Sequence, residues 1–145
     1  MNVDLSEKTT HQMTLAAEQA YPHECCGILI GKNENGRVVV TDSREAANQA
    51  DKEKTERHFE LDPMFLYQVE REIEGSGNEV VGFYHSHPDC KAVPSEEDTK
   101  NMIPGLVYII LSVTEAGVID IKHYESNNGL NGLLRSARND VSTLL

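Results

Sequence analysis

Two histidines separated by one residue, followed by a short loop and a Ser-x-x-Asp element, constrain this chain more than any other feature. They lie in the segment VVGFYHSHPDCKAVPSEED, from Val80 to Asp98. The apolar residues before His85 predict a strand. Because strand side chains alternate between the two faces, His85 and His87 should point the same way. The segment therefore predicts a strand that presents two imidazoles from one face.

The same segment supplies a carboxylate close to the histidines. Asp98 follows Ser95 by three residues, in a Ser-Glu-Glu-Asp run that is an ordinary helix start with Ser95 as the cap. Two histidines and one aspartate leave a position of a tetrahedral zinc ion open for water, as in catalytic zinc sites. A structural zinc site would need a fourth protein ligand, and the sequence has no Cys-x-x-Cys pair. We predict a zinc site formed by His85, His87 and Asp98.

Neither fragment is specific by itself. An isolated His-x-His is often a pair of ordinary polar residues, and capped helix starts are common. The conjunction is much more specific, because Pro88 directly follows the second histidine and Pro94 directly precedes the serine.

The combined pattern resembles the signature of the JAMM (MPN+, Mov34/JAB) zinc metalloproteases, in the small form found in bacteria and archaea. That family also has an upstream glutamate at a strand start, commonly followed by Cys-Gly. The matching stretches are HSH at 85–87, seven residues at 88–94, SxxD at 95–98 and PHECCGILIG at 22–31.

The resemblance implies roles for two further residues. Glu24 would be the general base, and the hydroxyl of Ser95 would donate a hydrogen bond to the tetrahedral oxyanion. Taken alone, Glu24 at the mouth of an apolar strand would be an ordinary solvated residue. As a base it needs a pKa raised by partial burial. Ser86 lies on the opposite strand face from the histidines, and we interpret it as a packing or backbone-bonding hydroxyl.

Three cysteines are present, an odd count that favours a reducing compartment over a disulfide framework. Cys25 and Cys26 are neighbours, which disulfide geometry strongly disfavours as a redox pair. We interpret Cys26 as a small buried hydrophobic residue. Cys90 lies in the loop between the ligands, and we hypothesise that it binds zinc in a resting state or senses oxidation.

The whole chain is compatible with one globular domain over residues 1–145, with a motif-bearing core at about 10–125. It has 145 residues, 39% of them hydrophobic, and a net charge of −11, which disfavours nucleic acid as a partner. No apolar run approaches the ~20 residues of a membrane helix. The N-terminus lacks the basic and apolar regions of a secretory signal, so we expect a cytoplasmic protein without a membrane partner.

Helical and strand-like patterns alternate along the chain, which predicts an α/β fold with a mixed, largely antiparallel sheet between helices, in agreement with the MPN fold. The polar stretch 42–57 is interpreted as a solvated loop or short helix, and as a long connection it could also contact a substrate protein. A final amphipathic helix at about 130–145 could pack on the core or on a second copy of the chain as a homodimer. The other predicted elements are helices from 6 to 20, from 63 and from 95, and strands at 24–31, 37–41, 58–61, 79–85, 106–113 and 118–124.

By resemblance, the expected activity is zinc-dependent hydrolysis of the amide bond after a C-terminal Gly-Gly of a ubiquitin-like or sulfur-carrier protein. A diglycine tail can enter a groove too narrow for larger side chains. Two alternatives stay open: a non-catalytic scaffold of the MPN type, and a zinc amidase that acts on another substrate.

Overall fold

The computed structural model describes residues 2–48 and 61–126 in full, and the backbone of residues 134–140. These ranges contain seven strands and three helices. The strands are β1 (Asn2–Leu5), β2 (Cys26–Glu34), β3 (Arg37–Ala46), β4 (Glu79–Pro88), β5 (Val107–Thr114), β6 (Gly117–Ser126) and β7 (Leu134–Asp140), and the helices are α1 (Glu7–Ala20), α2 (Pro63–Ile73) and α3 (Glu96–Asn101).

One mixed sheet contains all of these strands, in the order β1-β3-β2-β4-β5-β6-β7. The pairs β1/β3 and β4/β5 are parallel, and the other neighbours are antiparallel. The predicted α/β fold with a mixed, largely antiparallel sheet is confirmed. Strand β4, which carries the two histidines, is central and paired on both sides, so neighbouring backbones hold the histidine positions.

Helix α1 covers one face of the sheet. It begins after Ser6, whose hydroxyl accepts the backbone N–H of Thr9 at 3.1 Å, so Ser6 caps the helix as its side-chain chemistry predicts. Met13 and Ala17 are fully buried and pack in a cluster with Leu29 of β2. The helical spacing of the apolar residues therefore predicted this element and its buried face correctly.

The other face of the sheet carries α2 and α3, and also the two histidines. Asp62 caps α2 by accepting the N–H of Met64 at 2.9 Å. Val69 packs against Ile28 and Ile30 of β2. A second apolar cluster lies beside α3 and consists of Ala92, Met102, Tyr108, Ile110 and Tyr124.

The reading of residues 42–57 as a loop or short helix is wrong for the first part of that stretch. Strand β3 continues to Ala46, because residues 42–46 pair antiparallel with β2 from Cys26 to Ile30. The backbone N–H and C=O groups of β2 need hydrogen-bond partners, and a polar segment can supply them as well as an apolar one. Residues 49–60 lie outside the described residues, as does the predicted strand at 58–61 apart from Leu61, which is not in a strand.

The predicted final helix at about 130–145 is also wrong where the structure describes the chain. Residues Leu134–Asp140 form β7, which pairs antiparallel with β6. Within this segment only Leu134 and Ala137 are apolar residues at helical spacing, which is weak support for a helix. Pairing as a strand gives the backbone N–H and C=O groups at the edge of β6 their hydrogen-bond partners. Strand β1 was missed, because four residues are too few for a clear period-two pattern. A single domain over 1–145 stays a prediction.

None of the helices described is both long and apolar enough to cross a membrane.

Candidate metal centre

Three side-chain atoms converge at the end of β4 and the start of α3. The Nε2 atoms of His85 and His87 lie 3.1 Å apart, and each lies 3.1 Å from Oδ2 of Asp98. The three residues that the sequence predicted as ligands are therefore brought together by the fold. Their side chains are largely buried, with 4%, 11% and 10% of the surface of His85, His87 and Asp98 exposed.

Asp98 reaches this point through a capping box at the start of α3. The N–H of Ser95 donates to Oδ2 of Asp98 at 2.8 Å, and the N–H of Asp98 donates to the hydroxyl of Ser95 at 3.0 Å. The sequence pattern read as an ordinary helix start is therefore present. The same carboxylate oxygen closes the cap and faces both histidines, so the cap orients the aspartate.

The tautomer of His87 follows from its second nitrogen. Nδ1 lies 3.0 Å from the backbone carbonyl oxygen of Lys91. A carbonyl can only accept, so Nδ1 carries the hydrogen, and in the neutral ring Nε2 then presents a lone pair. Metal-binding histidines typically donate their other ring N–H to a carbonyl or carboxylate in this way.

The three groups also shift one another's proton affinities. Burial lowers the pKa of His85. Burial alone would lower the pKa of His87 too, but hydrogen bonds with Asp98 and the Lys91 carbonyl outweigh it and raise this pKa. Burial opposes ionisation of Asp98, yet hydrogen bonds and positive charge from the protonated forms of the two histidines hold its pKa far below the usual range. The carboxylate is therefore ionised beside two imidazoles, as a cation-binding set requires.

Glu24 lies on the same side, two residues before the start of β2. Its carboxylate and a ring nitrogen from each of His85 and His87 lie within 4.8 Å of one another. Glu24 is 7% exposed, and burial raises its pKa to about 8. Its backbone carbonyl accepts a hydrogen bond from the side chain of Asn48 at 3.1 Å. The fold thus brings an acid from a distant part of the chain to the histidine pair.

Two sets of three residues could hold a metal, since the histidines are shared and either Asp98 or Glu24 could be the third ligand. Donor atoms of a tetrahedral zinc ion at about 2.0–2.1 Å are separated by roughly 3.3 Å. The 3.1 Å triangle that includes Asp98 is close to this separation. Glu24, with its raised pKa, holds a proton more readily than Asp98 does. The donor set of His85, His87 and Asp98 therefore fits zinc, and it leaves a coordination position open.

The remaining predicted residues are placed as follows. Ser95 is exposed, and its hydroxyl accepts from Asp98 as described, so its catalytic role stays a prediction. Cys25, Cys26 and Cys90 are all free thiols. Burial raises the pKa of Cys25 to about 11 and that of Cys26 to about 12, which disfavours the reactive thiolate at both positions. Cys90 is exposed, and its regulatory role also stays a prediction.

The sequence did not predict two contacts to the backbone around Glu24. Asn48 lies in the polar stretch after β3, where nothing in the sequence distinguishes it from its neighbours. Ser86 was interpreted as a packing or backbone-bonding hydroxyl, and it does accept the N–H of Cys25 at 2.8 Å. The sequence did not show that its partner would be the N–H of Cys25, the residue after Glu24.

An open hollow of about 560 Å³ adjoins the site. His85 and Asp98 form part of its wall, and most of the remaining lining is apolar. The apolar side chains are Leu61, Phe83, Met102, Ile103 and Tyr108. Ile103 is 55% exposed, and its N–H donates to the hydroxyl of Tyr108 at 2.8 Å. A segment bound there would lie directly beside His85 and Asp98.

Comparison with known proteins agrees with this geometry. A family model described as prokaryotic homologs of the JAB domain matches residues 6–125. The chain belongs to this family. The membership confirms the resemblance to JAMM/MPN proteins drawn from the motif.

This JAB-family chain is similar to a desampylase from Haloferax volcanii. The two are 38% identical over 92 residues, which cover 63% of each chain. The match thus spans less than two thirds of that relative's length. The CysO-cysteine peptidase of Mycobacterium tuberculosis is 25% identical over 122 residues, which cover 81% of this chain and 77% of the peptidase.

Solved structures show the same JAB fold. A protein from Desulfitobacterium hafniense superposes with a TM-score of 0.77 and 27% identity, covering 93% of this chain and 89% of that one. A JAB1/MPN domain protein from Archaeoglobus fulgidus gives a TM-score of 0.52 with 22% identity, covering 84% and 88% of the two chains.

Proposed function

We propose that this protein is a zinc metallopeptidase that hydrolyses the amide bond after a C-terminal Gly-Gly of a ubiquitin-like or sulfur-carrier protein. The observation that carries the proposal is the 3.1 Å triangle of His85, His87 and Asp98 with the buried carboxyl of Glu24 beside it. Family membership and the names of the relatives, a desampylase and a CysO-cysteine peptidase, support the same reaction class.

His85, His87 and Asp98 would hold the metal. When bound, zinc supplies a Lewis acid that makes water nucleophilic near neutral pH. The cap at the start of α3 keeps Asp98 in place, and the carbonyl of Lys91 keeps the lone pair of His87 Nε2 on the side of His85 and Asp98. These contacts preorganise the ligand set, so little reorganisation is needed when the ion binds.

Glu24 would carry the proton. In this scheme its carboxylate accepts the proton from the attacking water and returns it to the leaving amine. A pKa of about 8 lies near neutral pH, where a carboxyl can both take and give a proton efficiently. Ser95, exposed at the start of α3, would donate from its hydroxyl to the developing oxyanion.

The substrate would lie along the hollow beside α3. Its apolar lining suits the backbone and apolar side chains of an extended tail better than a charged one. The segment between α3 and β5 is short, from Met102 to Leu106, so this connection adds no extra loop over the site. The free thiols fit a reducing compartment, and we place the protein in the cytoplasm.

A cleavage panel tests the proposal. Fusions of ubiquitin-fold carriers ending in Gly-Gly-X are incubated with the zinc-loaded protein and with the Glu24→Gln variant. We expect cleavage after the second glycine by the wild type and none by Glu24→Gln. Zinc binding without cleavage of any Gly-Gly fusion would instead favour one of the alternatives, a scaffold or an amidase for another substrate.

A further inference from the structure

Ser86 is fully buried between the two histidines of β4, with 0% of its surface exposed. Strand alternation directs its side chain to the face opposite the imidazoles, so it does not touch the metal site. Its hydroxyl oxygen accepts the backbone N–H of Cys25 at 2.8 Å, and its own N–H donates to the carbonyl of Cys25 at 3.1 Å. Ser86 therefore binds both backbone groups of the residue that follows Glu24.

These two bonds lie where the β2/β4 ladder ends. The last paired residues are Cys26 and His85. One step further, a regular antiparallel pair would exchange two backbone hydrogen bonds. Here one of the two bonds goes to the hydroxyl of Ser86 instead of a carbonyl. Cys25 is thus hydrogen-bonded to β4 at the point where the regular β2/β4 pairing ends. Glu24 is the residue directly before it in the chain.

We propose that Ser86 is a positioning residue that holds Glu24 over the histidine pair. The proposal rests on the proposed function, in which Glu24 is the proton carrier. Asn48 separately donates to the carbonyl of Glu24. The backbone at Glu24 is therefore held at two atoms, its own carbonyl oxygen and the N–H of Cys25. Without the hydroxyl, the buried N–H of Cys25 has lost its acceptor, and the segment shifts to find another.

The expected consequence is a loss in the chemical step alone. A displacement of about 1 Å of a catalytic group can cost on the order of 10²-fold in rate. Because Ser86 is buried and faces away from the site, its removal leaves substrate contacts and metal ligands in place. We therefore expect a fall in kcat with little change in KM or in zinc affinity.

The test compares Ser86→Ala with Ser86→Thr and with Ser43→Ala as a matched control. Ser43 is a second buried serine, on β3, whose hydroxyl bonds to Gln12 at 2.8 Å, away from the metal ligands. We expect Ser86→Ala to lower kcat about 10- to 100-fold, with KM and the zinc dissociation constant within about threefold of the wild type. Ser86→Thr, which keeps the hydroxyl, should recover most of kcat, and Ser43→Ala should leave kcat unchanged.

A second measurement does not depend on cleavage. Amide hydrogen exchange at Cys25 should be slow in the wild type and accelerate in Ser86→Ala, while the amides of the β2/β4 ladder stay protected. If Ser86→Ala folds poorly, Ser86→Cys, with its weakly accepting thiol, should show the same local acceleration.

Three results would overturn the proposal: unchanged Cys25 exchange, unchanged kcat in an active protein, or a loss of zinc affinity parallel to the loss of kcat. The last would mean that Ser86 acts on the ligands. A wild type that cleaves no Gly-Gly fusion would refute the proposed function, while the exchange measurement, with the position of Glu24 in crystals of the variants, would still decide the role of Ser86.

Discussion

Asp98 and Ser95 are joined twice, by the N–H of Ser95 at 2.8 Å and by the hydroxyl of Ser95 at 3.0 Å. The oxygen of Asp98 that accepts from Ser95 is the same one that faces His85 and His87. Helix capping and the proposed metal ligation therefore share one carboxylate. This overlap makes it possible to separate the two contributions by mutation.

Replacing Asp98 with asparagine should weaken metal binding while preserving the helix cap. An amide oxygen can still accept the N–H of Ser95, but the negative charge beside the histidines is lost. We expect zinc affinity to fall at least about tenfold, with little change in stability of the apoprotein. Metal analysis and competition with a chromophoric chelator measure the first, and urea unfolding measures the second. Wild-type zinc affinity in Asp98→Asn would exclude Asp98 as a ligand.

Glu24→Gln should abolish cleavage and still bind about one zinc per chain. The amide cannot take a proton from water, but the ligand set of His85, His87 and Asp98 is intact. Zinc content after dialysis checks the expectation. If Glu24→Gln lost its zinc while Asp98→Asn kept it, the ligand set would be the alternative one, with Glu24 as the third ligand.

Ser95→Ala should lower kcat by about 10²–10³ if the hydroxyl stabilises the oxyanion. It also removes a helix cap, which typically costs about 1 kcal/mol. Ser6→Ala is the matched control, because Ser6 caps α1 in the same way and lies far along the chain from the site motif. We expect comparable losses of unfolding free energy in the two variants and a loss of kcat in Ser95→Ala alone. Equal kcat in both would remove Ser95 from the chemistry.

A charge in the apolar hollow should weaken substrate binding. Ile103 is 55% exposed, so Ile103→Glu should fold, but it adds a carboxylate to the apolar part of a lining that already contains Glu97 and Asp98. We expect KM to rise about tenfold, equivalent to ~1.4 kcal/mol of binding free energy. Ile119, on β6 and 65% exposed, offers the matched control, since it does not line the hollow. A similar KM in Ile103→Glu and Ile119→Glu would place the substrate elsewhere.

His123 should make the folded state sensitive to mild acid. It is 5% exposed, and its Nε2 has no hydrogen-bond partner among the described residues. Burial lowers its pKa to about 4 from the usual value of about 6.5. Between these two pKa values the unfolded state binds more protons, so stability falls as the pH falls.

The size of this effect follows from the same shift. From pH 7 to pH 5, His123 should remove about 2 kcal/mol of unfolding free energy. The measurement compares urea unfolding of the wild type and His123→Gln at the two pH values, since the difference isolates this one group from the metal-site residues. Equal pH dependence in the two proteins would contradict the expectation.

Local patterns account for what could be predicted correctly. Period two placed His85 and His87 on one face of a strand, and the side-chain chemistry of Ser95 and Asp98 predicted a cap. Ser6 and the apolar residues of α1 predicted a helix in the same way. Each of these inferences involves residues close in the chain, whose geometry depends on backbone periodicity and short-range hydrogen bonds.

The wrong predictions concern pairing between strands. Residues 42–46 and 134–140 form strands because their backbones pair with the edges of β2 and β6. The side-chain pattern of the two segments does not indicate this pairing. A free edge is a property of the assembled sheet, and the same polar segment would be a loop elsewhere.

The sequence by itself determined the inventory of the site: two imidazoles on one strand face, a capped aspartate one loop away, and an upstream glutamate. Only the tertiary structure decided how closely Glu24 approaches the histidines, because 60 residues separate Glu24 from His85 in the chain. The pairing of β2 with β4 brings the two together. It also decided which side chains contact the backbone of this segment, Ser86 at the N–H of Cys25 and Asn48 at the carbonyl of Glu24. The physical reason is that long-range contacts depend on which strands become neighbours, which no local pattern encodes.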